Sequence, residues 1–212
     1  MRTDHTGGAL AAGPWRAVFA WRGGLEVAGT GQGDLTLAEG AGHALGRGAC
    51  RLNLQDPAGS CFVWEIGAAE PPTVVPAGLT VLRDYAMPRL PGEADPGTAT
   101  LRFERVDLFP GVVTPLHTHR GSGLRVLITG QLQAEVDFNR FVLGPGDSWL
   151  EKGPGEAVIG RAAPDRLTAF VRLLALPAEC LNQDSYVVLD ARDALRLKPA
   201  AYDRFHEERI VL

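Results

Sequence analysis

Glycine and proline constrain this chain most. With 26 glycines and 15 prolines in 212 residues, regular structure is interrupted every few residues. Between the breaks lie short runs rich in alternating and β-branched positions, the pattern of an all-β fold. Candidate strands are Leu79–Leu82, Ala99–Val106, Leu124–Thr129, Gln131–Asp137, Phe141–Leu143, Ser148–Glu151, Leu167–Leu174 and Ser185–Leu189. Helical periodicity is confined to a turn or two over Asp190 to Leu197. Hydrophobic residues make up 45% and charged residues 22%, as expected of a globular chain with a real core.

Prolines 71, 72, 76, 88, 91 and 96 cluster toward the end of the first half. Each removes a backbone donor and fixes φ, so long elements do not cross such a stretch easily. This predicts an N-terminal β segment over residues 1–72, a Pro-rich connector over 73–97, a main β unit over 98–180 and a C-terminal extension over 181–212. A faint internal repeat relates the first and third pieces. Arg22-Gly23-Gly24-Leu25, then Leu37 to His43, then Cys61-Phe62-Val63 parallel Thr129-Gly130-Gln131-Leu132, then Leu143 to Asp147, then Ala169-Phe170-Val171. Generic hairpin chemistry accounts for this about as well as duplication. On the duplication reading, the N-terminal piece is the second half of a barrel whose first half is lost.

Several function classes are disfavoured. A formal charge of -4, a pI near 5.7 and scattered basic residues offer no field for nucleic acid. No stretch approaches the roughly 18 uninterrupted apolar residues of a membrane span. Met1 to Trp21 carries an early Asp4 and no basic-then-apolar leader pattern, so a cytoplasmic protein is expected. Three widely spaced cysteines, Cys50, Cys61 and Cys180, argue against a disulfide framework or thiolate zinc site. There is no phosphate loop, dinucleotide fingerprint or nucleophile elbow.

From Gly111 the chain reads Gly-Val-Val-Thr-Pro-Leu-His117-Thr-His119-Arg-Gly-Ser-Gly123, and a further glycine closes the run at Gly130. This resembles the first motif of the cupin superfamily: glycine, five residues, HxH, a short gap, glutamate, six residues, glycine. Both glycines and both histidines are in register, while Gly123 stands at the glutamate position. In the second motif, Leu143 to Trp149 supplies the hairpin opening. There Lys152, Pro154 and Ala157 replace the proline, glycine and histidine. The resemblance covers about 80 residues, Thr98 to Pro177. It implies an antiparallel, jelly-roll-like cupin barrel with an N-terminal β segment as a partial cupin-like unit. It further implies a small-molecule site, with a divalent Fe, Mn, Ni or Zn ion as the cofactor the family commonly uses.

The strand geometry agrees independently. Side chains at i and i+2 share a strand face, so His117 and His119 point the same way, into a closed barrel's interior. Two imidazoles rarely suffice for a metal. Glu156, one residue from the missing histidine, is the better third ligand, and Glu151 on the preceding strand is the other choice. By the same alternation Arg125 faces the cavity with Gly123 and Leu127, unless a bulge at 121–123 shifts the register. A guanidinium there repels a cation and favours a carboxylate or phosphate. Two readings stay open: a metal-dependent lyase, isomerase or oxygenase on His117, His119 and Glu156, or a metal-free barrel holding a small anion through Arg125 and both histidines. Trp64, Phe141, Trp149 and Phe170 are expected in the core. The tail's apolar runs at Tyr186–Leu189 and Ile210–Leu212 predict addition to a sheet edge, of its own barrel or of a second subunit, so homodimerisation is an expectation.

Overall fold

The computed structural model describes residues 2–3, 8–31, 33–67, 78–85, 97–190, 192–193 and 200–211. Among them, no helix is long and apolar enough to cross a membrane. The expected boundary near Pro72 and most of the Pro-rich connector lie outside the described residues, as does most of the stretch Asp190 to Leu197. The chain divides into two compact units, Met1–Ala86 with Leu212, and Met87–Val211.

The first unit comprises β1 (Arg2–Thr3), β2 (Gly8–Leu10), β3 (Trp15–Arg22), β4 (Leu25–Ala28), β5 (Leu35–Leu37), β6 (Gly42–Gly46), β7 (Cys50–Leu54), β8 (Ser60–Ile66) and β9 (Leu79–Thr80). They form two sheets, in the orders β6-β3-β8-β1-β9 and β5-β4-β7-β2. Alternation places Leu25 and Val27 inward and Glu26 outward. Together with Leu10, Val18, Leu52 and Val63 they build an aliphatic core. Each such side chain contributes about 1.5–3 kcal/mol on full burial.

The second unit comprises β10 (Thr98–Leu108), β11 (His117–His119), β12 (Ser122–Thr129), β13 (Leu132–Val136), β14 (Asn139–Leu143), β15 (Ser148–Glu151), β16 (Val158–Ala162), β17 (Thr168–Pro177), β18 (Tyr186–Val188) and β19 (Ala200–Val211). Its sheets run β15-β12-β17-β10-β19 and β14-β13-β16-β11-β18. The tail stays with this unit: β18 pairs with β11, and β19 pairs along the whole of β10. Trp149 and Phe170 are buried as expected, whereas Phe141 is 42% exposed on the edge strand β14.

The two sheet orders coincide strand for strand when β1–β8 are matched to β10–β17 and β9 to β19; β18 has no counterpart among the described strands. The match extends to single hydrogen bonds. Gly40 N donates to Ala20 O at 2.8 Å and Ala20 N to Ala41 O at 2.9 Å; Gly146 N donates to Leu127 O at 2.7 Å and Leu127 N to Asp147 O at 2.9 Å. Gly40 and Gly146 take φ of 84° and 95°, a region in which glycine alone is at ease. Both long strands slip register at the same place, after Ala20 in β3 and after Leu127 in β12. The repeat visible in the sequence is therefore a repeat of topology. It also corrects the reading of a half-barrel, because β1 and β2 supply the strands thought to be lost.

Candidate metal centre

The short strand β11 holds His117 and His119 with one residue between them, so both rings leave the same face. They are buried, 5% and 3% exposed, while Thr118 between them is half-buried. His117 Nδ1 lies 2.9 Å from the Pro115 carbonyl. A carbonyl only accepts, so Nδ1 carries the proton and Nε2 keeps its lone pair. His119 Nε2 lies 3.0 Å from Glu151 Oε2, and its Nδ1 is buried without a partner.

Glu151 reaches the histidines because the Gly144–Asp147 turn folds β15 back along β12, directly opposing Gly123 and Glu151. A carboxylate missing from position 123 is thereby supplied from the neighbouring strand. Gly123 makes room for the exchange. A Cβ there would collide with the Leu174 side chain and with Arg125 Nη1, and that Nη1 donates to the Gly123 carbonyl at 2.6 Å. Arg125 Nη2 sits 2.5 Å from Glu151 Oε2, and Trp149 Nε1 donates to Glu151 Oε1 at 2.9 Å.

One cross-strand row then carries alternating roles. Arg125 stands opposite Arg172 on β17, and Arg172 opposite Glu104 on β10. Like charges directly opposed repel. Here each has its own carboxylate, Glu151 for Arg125 and Glu104 for Arg172, whose Nε donates to Glu104 Oε1 at 2.8 Å.

Burial pushes the His119 imidazole down to about 3, outweighing the favourable Glu151 carboxylate, and lowers His117 for the same reason. Both rings are neutral near pH 7. Burial also lowers Arg125, to about 10, with Glu151 opposing, so it remains a cation. For Glu151, burial pushes upward, but the Arg125 charge and the bonds from His119 and Trp149 more than offset it. The carboxyl is held well below its ordinary range. Two cations, two carboxylates and two neutral imidazoles leave the cluster balanced.

The cavity is lined by this cluster and by apolar walls from Val106, Leu108, Leu132, Trp149 and Phe170. Of the residues singled out in the sequence, His117, His119 and Arg125 come together there. Glu156 does not: its Oε2 accepts the Lys152 backbone N–H at 2.5 Å in the β15–β16 turn, and burial raises its carboxyl. His117, His119 and Glu151 instead each bring one ligand atom within 4.8 Å of the others. Arg172 escaped the sequence reading although it is the one charge in an otherwise apolar strand, Thr168–Pro177. Such a residue is seldom buried without a partner.

No protein-family model matches the chain, and no curated protein does. Among solved structures it is similar to a point variant of oxalate decarboxylase from Bacillus subtilis, at 13% identity and a TM-score of 0.57, covering 93% of this chain and 72% of that one. Salicylate 1,2-dioxygenase from Pseudaminobacter salicylatoxidans matches at 11% identity and 0.53, covering 96% and 73%. A cupin 2 conserved barrel domain protein from Leptotrichia buccalis matches at 13% and 0.47, covering 82% and 79%. At such identities the likeness is one of fold.

Proposed function

We propose, from the premise that this chain has the cupin β-barrel fold, that its second barrel is a metal-dependent enzyme acting on a small organic molecule. The observation that carries the reading is the meeting of two buried, neutral imidazoles and one ionised carboxylate in a largely apolar cavity. His117, His119 and Glu151 would hold the ion. Two histidines with one carboxylate suit a divalent transition metal, iron or manganese before nickel or zinc, with positions left for substrate. Such an ion supplies Lewis-acid polarisation of a bound oxygen.

The chain's own residues prepare that chemistry. Pro115 holds the His117 tautomer through Nδ1, the outer bond that ligating histidines commonly make to a backbone carbonyl. Arg125 and Trp149 orient Glu151. A guanidinium beside a cation site would ordinarily repel the ion, but Glu151 and Glu104 offset Arg125 and Arg172, so the cluster holds no surplus positive charge. The apolar walls take the substrate's body and exclude water. Two neighbours in fold are named as an oxalate decarboxylase and a salicylate 1,2-dioxygenase; they support a lyase or oxygenase, and the substrate is not specified by fold. The metal-free anion receptor needs Arg125 unpaired, and its pairing with Glu151 argues against it.

Elemental analysis of protein purified without chelator tests this. The expected result is a transition metal near one equivalent that is lost in the His117→Ala/His119→Ala double variant. A wild-type protein that carries no metal and takes up neither iron(II) nor manganese(II) overturns the proposal.

A further inference from the structure

Tyr186 is a part of the cavity that neither the motifs nor the ligand set includes. It lies on β18, the edge strand that the first unit lacks among its described strands, and pairs in register with His119. Its ring is stacked on His117, centroids 4.1 Å apart and planes 20° apart, and meets His119 edge-on at 5.9 Å. The residue as a whole is part-exposed, yet its hydroxyl is enclosed and makes no hydrogen bond. The phenol therefore points inward, and Tyr186 lines the same cavity as both imidazoles.

A buried phenol normally finds a partner, because leaving it without one has a free-energy cost. Here it is one of two enclosed polar atoms without a partner, with His119 Nδ1, both on residues that line one cavity. A donor and a ring nitrogen left without partners on the lining of one cavity leave a place for the polar head group of a bound molecule. A phenol is protonated at neutral pH, so the hydroxyl is available as a donor.

We propose that Tyr186 is a substrate-binding residue whose hydroxyl donates a hydrogen bond to an anionic or carbonyl oxygen of the molecule held beside His117 and His119. This rests on the enzyme reading above and deepens it. The substrate class it selects is a small oxyanion or keto compound, oxygen head toward the imidazoles and apolar body toward Trp149 and Phe170. The stacked ring keeps His117 in place, so Tyr186→Phe removes the donor and keeps the packing.

The test uses the full chain loaded with cobalt(II), followed by visible absorption, with azide as the small anion. Tyr186→Phe is expected to bind cobalt(II) as wild type does and azide about tenfold more weakly, the loss of one charge-assisted hydrogen bond. Equal azide affinity in both proteins overturns the role of Tyr186 and leaves the metal reading standing. If wild type takes up no cobalt(II), the metal reading falls alone. Tyr186 is then judged by acetate titrated against the His117 and His119 ring signals in NMR: weaker binding in Tyr186→Phe supports it, while equal or absent binding overturns it.

Discussion

The first barrel places Leu10, Val18 and Val63 where the second has His117, Arg125 and Arg172. The correspondence follows from register. Val18 precedes the register slip in β3 by as many residues as Arg125 does in β12, and the cross-strand pair Val18–Val63 matches Arg125–Arg172. Leu10 faces Cys50 as His117 faces Val158. A barrel of this strand order evidently closes around an interior cluster of apolar side chains. The second barrel's charges are therefore not needed for the topology. Burying an ion pair in place of well-packed apolar groups is commonly neutral or costs about 1–4 kcal/mol. Polar residues retained against that cost point to chemistry rather than to architecture.

The harshest way to break the comparison is to move one polar residue without its partners. Val18→Arg puts a guanidinium into a cluster of apolar side chains. It is expected to destabilise the first unit by more than about 4 kcal/mol, read from urea unfolding of the full chain. A variant as stable as wild type would mean that the first barrel already contains a hidden receptor for charge.

The next test takes the second barrel toward the first. Glu151→Leu leaves Arg125 buried and unpaired, a loss of about 3–5 kcal/mol, whereas Arg125→Met/Glu151→Leu removes both charges at similar volume and should lie within about 1 kcal/mol of wild type. Equilibrium unfolding of the two singles and the double gives the coupling directly. Additive losses would show that the pair is not the unit described.

How much of this was legible follows from the same residues. The hairpin glycines and the HxH spacing are local signals, so the barrel and the inward histidines could be read from the sequence, while the repeat was indistinguishable there from generic hairpin chemistry. Glu151 was reachable in principle: counting back through the Gly144–Asp147 turn opposes it to Gly123. Linear nearness to the missing histidine favours Glu156, whereas cross-strand register brings Glu151. Strand β19 was recognised only at its apolar end. Its inner positions are charged, and their strand-forming role depends on partners far along the chain, such as Arg102 Nη2 at 2.6 Å from Glu207 Oε1. The apolar run at Tyr186–Leu189 announces an added edge strand, but the register that sets Tyr186 opposite His119 depends on which strand it joins, β11.

A gentler contrast is acid sensitivity of the metal-free protein. His119 is held at about 3 in the folded state against 6.5 ordinarily, so the unfolded chain binds its proton first. The stability this contributes is complete above about pH 6.5 and is lost as pH falls toward 3. Glu151, also depressed, adds a second loss below its ordinary 4.5. Unfolding followed by NMR resonances of each barrel should show the second giving way first as pH drops through 6. His119→Asn should flatten the upper part of that decline. An unchanged slope in the variant would assign the sensitivity elsewhere.

The smallest effect separates the two candidate carboxylates. Glu156 accepts a backbone hydrogen bond from Lys152 in the β15–β16 turn, and its side chain is neither fully buried nor among the groups lining the cavity. Glu156→Gln keeps an acceptor at that place, so the expected loss is under about 0.5 kcal/mol with cobalt(II) affinity unchanged. Glu151→Gln keeps shape as well, yet it removes the only negative charge within ion-pair distance of Arg125 among the described residues. The same substitution removes one of the three proposed ligands. Cobalt(II) affinity in that variant should fall by at least tenfold. If Glu156→Gln weakens the metal and Glu151→Gln does not, the ligand set belongs to the turn. Gly123 would then be a position whose carboxylate has no substitute, and the second barrel would stand nearer to the first than its buried charges suggest.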